Sequence, residues 1–304
     1  MTFGKKLKKA IPFYIMAAPA LIYLFINNYI PMAGLVMAFK KVDFSLGMWK
    51  SPWNGLKNFT YLFKTKDAFI IFRNTICYNI AFIILGTFFA VAIAVILNQI
   101  KNVMAKKVYQ TVILLPYMIS TVILSYLVYA FLGSGDGFIN NAILKPLGIQ
   151  GIQWYSQAKY WPVILVIVYL WKNVGYSTVI YFASVVGIDK TYYEAAVIDG
   201  AGFWKQIRYV TIPCLRSTII TMVLLSLGKM FYTDFGLFYQ VPMDNGLLYN
   251  VTNTIDTYVY RGLMELNDIG RSSAAGFLQS ILGFVIIMIA NTIVKKIDKE
   301  NSLF

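Results

Sequence analysis

Long apolar runs alternate with short polar segments along this chain of 304 residues. A helix needs roughly 20 apolar residues to cross the hydrocarbon core of a bilayer. The pattern therefore predicts an all-α membrane protein with six transmembrane helices. No linker rich in Ser, Gly or Pro separates the runs, so we expect a single membrane domain over residues 1–304. The predicted spans cover residues 13–39, 74–98, 109–132, 161–187, 216–234 and 273–294.

Composition supports a membrane protein, because 59% of the residues are hydrophobic and only 13% are charged. Soluble domains are about half apolar and about a quarter charged. The apolar run that follows the N-terminal lysines continues to Phe39. We therefore expect a retained first helix and not a cleaved signal peptide.

The net charge is +14, and the distribution of Lys and Arg along the chain predicts its orientation in the bilayer. Lys and Arg concentrate in four short segments, residues 1–12, 99–108, 188–216 and 295–304. Cytoplasmic loops carry an excess of these residues, so both termini are predicted to be cytoplasmic. The same residues meet anionic lipid headgroups, and no basic face of a soluble fold is present to bind nucleic acid.

Prolines and glycines inside the runs predict irregular helices. Pro31 and Gly34 follow a pair of asparagines near the outer end of the first span, where we expect a kink or a break. Pro116 lies within the third span and predicts a kink there. Neighbouring helices or water can satisfy the carbonyl group that such a kink frees.

Three ionisable residues, Lys172, Lys229 and Asp234, lie inside apolar runs. They can snorkel to the outer headgroups, or they can line a polar route for a solute. Most of the aromatic residues are expected in interface belts and lipid-facing packing. A few aromatic rings beside amide groups could bind a polyol by stacking and hydrogen bonding. The predicted substrate path comprises Tyr126, Trp171, Lys172, Asn173, Tyr176, Lys229 and Tyr232.

The polar segment 188–213 is predicted to form a helical hairpin on the cytoplasmic surface. Asp189 can cap a first short helix, glycines at 200 and 202 end it, and a second short helix runs from Phe203 to about Thr211. Lys205 or Arg208 can pair with Glu194. Physical reasoning alone leaves two alternatives open: an amphipathic hairpin without a partner, or a rigid protrusion that another protein grips.

The hairpin resembles the EAA loop of permease subunits of ATP-binding-cassette importers. Glu194-Ala195-Ala196, Gly200 and Pro213 match the pattern at the required spacing, with Val210 and Ile212 as mild changes. Lys190 departs from the family, which often has Pro there. Other segments are similar to carbohydrate-uptake permease subunits, closest to the subgroup for oligosaccharides from complex polysaccharides. They are Tyr29-Ile30-Pro31-Met32-Ala33-Gly34, residues 51–59, Asn74-Thr75 and residues 171–176.

The resemblance implies a type I importer fold in a bacterial cytoplasmic membrane, with this chain as half of a pore for an oligosaccharide. The implied partners are a second, different permease subunit, two cytoplasmic ATPase subunits and an extracellular solute-binding protein. The residues implied to contact the ATPase are Tyr193, Glu194, Ala195, Ala196, Asp199, Gly200 and Ala201.

The resemblance also implies that ATP and Mg²⁺ bind to the ATPase, so this chain is expected to hold no cofactor. The chain has no phosphate-binding loop of the Gly-x4-Gly-Lys-Ser/Thr type. It contains no His, which removes the commonest general base and metal ligand, and we expect neither enzymatic activity nor a metal site. An ion-coupled secondary transporter is the alternative, and it requires carboxylates or other ion sites within the spans.

Overall fold

The computed structural model describes residues 3–135 and 137–298, with side chains from residue 11 onward except that of residue 297. Fourteen α-helices of four residues or more follow one another in the described part, joined by turns, short 3₁₀ or π-type segments and a three-residue α-helical turn at Ile30–Met32. Their bounds are α1 Phe3–Leu24, α2 Gly47–Lys50, α3 Lys57–Lys64, α4 Lys66–Gln99, α5 Val103–Met118, α6 Thr121–Leu132, α7 Trp161–Val186, α8 Lys190–Ile198, α9 Phe203–Gln206, α10 Ile212–Gly228, α11 Phe235–Tyr239, α12 Tyr249–Thr252, α13 Ile255–Met264 and α14 Ile269–Ile297. Within these residues the only β pairing is an isolated antiparallel bridge between Lys40 and Trp53.

The chain divides into two compact units, Met1–Thr65 with Val259–Leu278, and Lys66–Tyr258 with Gln279–Phe304. The single domain expected from the sequence remains a prediction. In the first unit, the rings of Phe39, Phe59 and Phe277 pack edge to face or tilted, with centroids 5.3–6.1 Å apart.

Lys40 organises the loop that follows the first span. Its ammonium group donates to the carbonyl oxygens of Met48 (3.1 Å) and Trp49 (2.5 Å), and it lies over the Trp53 ring. A lysine that is only 4% exposed needs such partners, because burial of an unpaired charge is costly.

The second unit has two apolar clusters, both built on α4. One cluster packs the α4 residues Tyr78 and Phe82 against α6, α7 and α11, with Trp161 and Leu165 fully buried. The other packs Ala90 to Val95 of α4 against α7 and the start of α10. Apolar lipid provides no hydrophobic drive for helix association, so the helices depend on close packing. Small side chains such as alanine permit that close contact.

Five helical segments are long and apolar enough to cross a membrane, or six if the bent pair of α5 and α6 is one span. The five segments are Ile11–Phe39, Lys66–Gln99, Ala158–Val186, Phe203–Gly228 and Ile269–Lys296. This finding agrees with the predicted all-α membrane fold. Residues 1–2 and 299–304 lie outside the described residues, so the cytoplasmic location of both termini stays a prediction.

The first span changes helix type where the sequence indicated a kink or a break. A π-type turn over Phe25–Tyr29 and a 3₁₀ segment over Ala33–Phe39 flank Pro31. The amides of Asn27 and Asn28 donate to carbonyl groups one turn earlier. The helix is therefore modified around Pro31 and Gly34 and is not interrupted.

The third predicted span, 109–132, is not one kinked helix. α5 ends at Met118 and α6 begins at Thr121, with a bend of 95° between them. Ser120 caps α6 by accepting a hydrogen bond from the Ile123 N–H at 3.3 Å. Pro116 near the end of α5 and the cap at Ser120 together separate the two helices.

The fifth predicted span, 216–234, is displaced toward the hairpin. The helix is continuous from Phe203 and ends at Gly228, so residues 229–234 are not helical. Pro213 lies inside this continuous segment, directly after the π-type turn Ile207–Thr211, where the helix changes type. The second limb of the hairpin and the following span are consequently one helical segment.

Candidate coupling hairpin and solute cavity

The segment 188–213 forms the hairpin that the spacing predicted. Asp189 caps α8 by accepting a hydrogen bond from the Thr191 N–H at 2.9 Å. This bond and a second from the Thr191 hydroxyl hold the pKa of the Asp189 carboxyl below its usual value. Gly200 adopts φ +74°, the left-handed conformation that ends helices, and Ala201 N–H donates to Ala196 O at 2.8 Å.

One hydrogen bond joins the two limbs of the hairpin, and another holds the turn between them. The amide of Gln206 donates to Ala201 O at 2.8 Å, next to the glycine turn. The hydroxyl groups of Tyr193 and Thr211 lie 3.0 Å apart, and Thr211 is buried. These bonds fix α8 relative to the helical segment that continues into α10.

The hairpin exposes apolar side chains at its tip. Ile198 is 85% exposed, Val197 and Trp204 near the turn are also exposed, and Tyr192 is exposed at the start of α8. Contiguous exposed apolar groups on a protein surface are typical of interaction sites.

The predicted coupling residues divide into two groups. Glu194, Ala195, Asp199 and Gly200 are exposed, whereas the remaining three are half-buried: Tyr193, Ala196 and Ala201. Among the described residues Glu194 makes no hydrogen bond or ion pair, and the Arg208 guanidinium lies over the Tyr209 ring. The expected pairing of Glu194 with Lys205 or Arg208 is therefore not observed, and the Glu194 carboxylate is open to a partner.

A cavity of about 360 Å³ opens in the second unit between α4, α7, α10 and the non-helical residues after α10. One wall carries the stacked rings of Phe82 and Tyr169, with centroids 3.7 Å apart and planes 9° apart. The other walls carry amides, hydroxyls and two charges. Besides Tyr169, the polar residues that line it are Asn79, Thr87, Asn173, Ser177, Tyr181, Ser226, Lys229, Tyr232, Thr233 and Asp234.

Three residues of the predicted substrate path meet in this cavity. Asn173 lines the side formed by α7, and its amide donates to Tyr169 O at 3.0 Å. Lys229 and Tyr232 follow the end of α10, and the Tyr232 hydroxyl lies 2.8 Å from Ser280 Oγ. Asn173, Lys229 and Tyr232 therefore line the same cavity as the stacked rings. Polar groups next to aromatic rings suit the binding of a polyol.

Four predicted residues lie away from this cavity. The Lys172 ammonium donates to Thr121 Oγ1 at 2.9 Å. The Tyr176 ring stacks on the Tyr117 ring with centroids 4.7 Å apart. Tyr126 and Trp171 are exposed. Span lengths do not determine the rotation of a helix, and the observed rotations direct these four side chains elsewhere.

Sequence reasoning missed several cavity residues. Asn79 is a carboxamide inside an apolar run, and Ser177 and Ser226 are hydroxyls in later runs, a signal that the apolar pattern obscured. The sequence leaves two alternatives for Asp234, the outer headgroups and a route for a solute. Its carboxylate lines the cavity and caps α11 by accepting from the Leu237 N–H at 3.1 Å.

Residues 83–300 match the family described as "Binding-protein-dependent transport system inner membrane component". The chain belongs to this family. The match covers both the hairpin and most of the cavity, so these two features lie within the part of the chain that the family shares. Membership makes the chain a multi-pass inner-membrane transport component.

Relatives within the family match along almost their whole length. The chain is 33% identical to protein LplB of Bacillus subtilis over 94% of this chain and 89% of the relative. It is 32% identical to the polygalacturonan/rhamnogalacturonan transport system permease protein YteP of the same organism, over 94% and 88%. It is 25% identical to the arabinooligosaccharides transport system permease protein AraP of Halalkalibacterium halodurans, over 92% and 86%.

A solved structure shares the fold and 28% of the sequence. It is a chain of a bacterial ABC transporter involved in the import of the acidic polysaccharide alginate, and the TM-score is 0.88. The similarity covers 97% of this chain and 98% of that chain. A second structure of equal TM-score is an alginate transporter in complex with its alginate pentasaccharide-bound periplasmic protein.

Proposed function

We propose that this chain is one half of the pore of an ATP-driven importer for an oligosaccharide. The observation that carries the proposal is the hairpin of residues 188–213. It is linked internally by hydrogen bonds, it exposes Glu194 and the apolar tip around Ile198, and it continues without a break into a membrane span. Such an element transmits the movement of a partner directly to the bundle.

Family membership and the shape of the hairpin support the proposed partners. Two cytoplasmic ATPase subunits bind ATP and Mg²⁺, and each receives one hairpin. A second, different permease subunit completes the pore, and an extracellular solute-binding protein delivers the sugar. Both termini lie in the cytoplasm. This chain binds no cofactor and performs no chemistry.

The coupling mechanism is mechanical. ATP binding draws the ATPase pair together, and the two hairpins move with it as rigid bodies. Because α9 continues into α10, the movement of the hairpin turns the fifth span and changes access to the cavity. ATP hydrolysis reverses the change. The residues at this contact are Tyr193, Glu194, Ala195, Ala196, Asp199, Gly200 and Ala201.

An oligosaccharide fits the chemistry of the cavity. The half-buried Tyr169 ring, which stacks on the buried Phe82 ring, offers aromatic area to a sugar ring, while Asn173, Lys229 and Tyr232 offer donors and acceptors. Relatives named for polygalacturonan and arabinooligosaccharide transport support this substrate class. Tyr126, Trp171, Lys172 and Tyr176 remain proposed for other parts of the route.

Purification of this chain from its native membrane in mild detergent tests the proposal, with mass spectrometry of the proteins that accompany it. We expect an ATPase and a second six-span permease among these proteins. Uptake into proteoliposomes should require ATP on the side of the membrane where the ATPase is bound. Uptake that follows an ion gradient without ATP, by this chain alone, would contradict the proposal and favour the ion-coupled alternative.

A further inference from the structure

The residues between α10 and α11 form an irregular segment, Lys229–Asp234, that supplies one wall of the cavity. Lys229, Tyr232, Thr233 and Asp234 all line it. Backbone groups outside a helix lose their intrahelical partners. Irregular backbone in membrane proteins is tolerated where other groups satisfy it or where it lines a water-filled cavity.

Asn79 holds two carbonyl groups of this segment. Its side-chain amide donates to Met230 O at 2.9 Å and to Tyr232 O at 3.1 Å, and to Thr75 O of its own helix at 2.9 Å. An asparagine amide supplies two N–H donors, so one donor is shared. Asn79 of α4 thereby holds the carbonyl groups of the residues immediately before and after Phe231.

Gln279 and Asp256 hold the remaining groups. The Gln279 amide, which is 3% exposed, donates to Phe231 O at 2.7 Å and to Asp256 Oδ1 at 3.0 Å. The Asp256 Oδ2 atom accepts from the Thr233 N–H at 2.6 Å and from its hydroxyl at 2.7 Å. Side chains from α4, α13 and α14 thus satisfy four consecutive residues of the irregular segment.

The segment held in this way keeps two opposite charges apart on the cavity wall. Lys229 makes no side-chain hydrogen bond or ion pair within the described part of the chain. Asp234 Oδ1 accepts from the Leu237 N–H, and Asp234 forms no ion pair with Lys229. An ammonium donor and a carboxylate acceptor that do not neutralise each other can each bind a hydroxyl group.

We propose that Lys229 and Asp234 bind hydroxyl groups of the sugar in the cavity, and that Asn79, Asp256 and Gln279 are the positioning residues that keep these two charges apart. The proposal rests on the proposed importer function. It assigns ligand-binding roles to two residues of the irregular segment. It assigns positioning roles to three residues that lie far from that segment in the sequence.

A double-mutant cycle between Asn79→Ala and Lys229→Gln tests the positioning role. The measurement is the KM for ATP-dependent uptake by the complete importer in proteoliposomes, with its binding protein present. The probes are radiolabelled neutral and uronic-acid tetrasaccharides, and the best-transported one is carried through the cycle. Asn74→Ala is the matched control, because Asn74 also lies on α4 and donates to two carbonyl groups, Asn250 O and Asn253 O, away from this cavity.

We expect Lys229→Gln to raise KM about tenfold or more, the usual value of a hydrogen bond to a charged group. Asn79→Ala should raise KM several-fold, and the double variant should exceed Lys229→Gln by less than that factor, because Asn79 acts in part through Lys229. Asn74→Ala should leave both KM and the ATPase activity without sugar unchanged.

Additive effects of Asn79→Ala and Lys229→Gln would overturn the positioning role, and an unchanged KM in Lys229→Gln would overturn the binding role. If Asn79→Ala does not assemble, Gln279→Met gives the same cycle with a side chain of similar size and no donor. A wild-type importer that assembles with its ATPase but takes up no tetrasaccharide would overturn the sugar-binding role and leave the importer intact. A chain that assembles with no ATPase would overturn the proposed function itself.

Discussion

The hydroxyl groups of Tyr193 and Thr211 lie 3.0 Å apart and join the two limbs of the cytoplasmic hairpin. Tyr193 belongs to the motif that resembles the ATPase contact, and Thr211 is buried immediately before α10. The bond therefore connects the proposed contact with the membrane span. A hairpin that transmits movement must be stiff, and this bond is one source of its stiffness.

Tyr193→Phe should uncouple transport from ATP hydrolysis in part. The change removes one hydrogen bond, worth about 0.5–1.5 kcal/mol, and leaves the ring in place. We expect less sugar transported per ATP hydrolysed in proteoliposomes, while the ATPase remains bound. Tyr192→Phe is the control, because the Tyr192 side chain is exposed and the hydrogen bond to Thr211 is made by Tyr193. Equal transport per ATP in both variants would count against a role for the Tyr193–Thr211 contact.

Gly200→Val should distort the hairpin. Gly200 has φ +74°, and a left-handed conformation costs other residues about 1–2 kcal/mol, more for a β-branched one. We expect reduced uptake and reduced ATPase binding with a bundle that still assembles.

The matched control for this change is Gly202→Ala. Gly202 has an extended conformation with φ −69°, and an added Cβ would meet no atom within 4 Å. Its uptake should equal that of the wild type. Full activity of Gly200→Val would show that the turn geometry is unnecessary.

Glu194→Ala should weaken binding of the ATPase without lowering the stability of this chain. The carboxylate has no partner within the chain's described residues, so its removal breaks no internal contact. We expect about tenfold weaker binding of the ATPase, the value of a charged hydrogen bond, with an unchanged Tm. Glu265→Ala, at another exposed position, serves as the control and should change neither quantity. A lower Tm for Glu194→Ala would instead indicate a structural role.

Gly175→Ala should destabilise the contact between α5 and α7. A Cβ at Gly175 would lie 2.0 Å from Ile113 O, a backbone atom that cannot move alone. Overpacking of this kind costs about 1–3 kcal/mol, so the Tm of the detergent-solubilised protein should fall by several degrees. Gly276→Ala is the control, since an added Cβ there meets nothing within 4 Å. An unchanged Tm for Gly175→Ala would mean that the two helices separate at little cost.

The hairpin could be predicted from the sequence because its determinants are local. The Asp189 cap, the Gly200 turn and the limb that begins at Phe203 lie within one short stretch, and each acts on neighbouring backbone. The number and approximate position of the apolar runs are likewise local properties. These features follow from composition and spacing alone.

The cavity could be predicted only in part because it depends on contacts between residues distant in sequence. Apolar residues continue past Gly228, so the pattern extends the fifth span to 234. The helix nevertheless ends at Gly228, and Asn79, Asp256 and Gln279 satisfy the backbone beyond it. The bend of 95° before Thr121 differs from the prediction for another reason: Pro116 alone indicates only a kink, and the break also needs the cap at Ser120, a single polar residue within an apolar run.

Photo-crosslinking from the tip of the hairpin tests the central claim most directly. A photoreactive amino acid at Ile198, which is 85% exposed, would be activated in native membranes, with the same residue at Leu266, which is 70% exposed, as the control. We expect Ile198 to crosslink to an ATPase subunit, identified by mass spectrometry, and Leu266 to give no ATPase adduct. No ATPase adduct at Ile198, or one of equal yield at Leu266, would contradict the claim that this hairpin couples the pore to ATP hydrolysis.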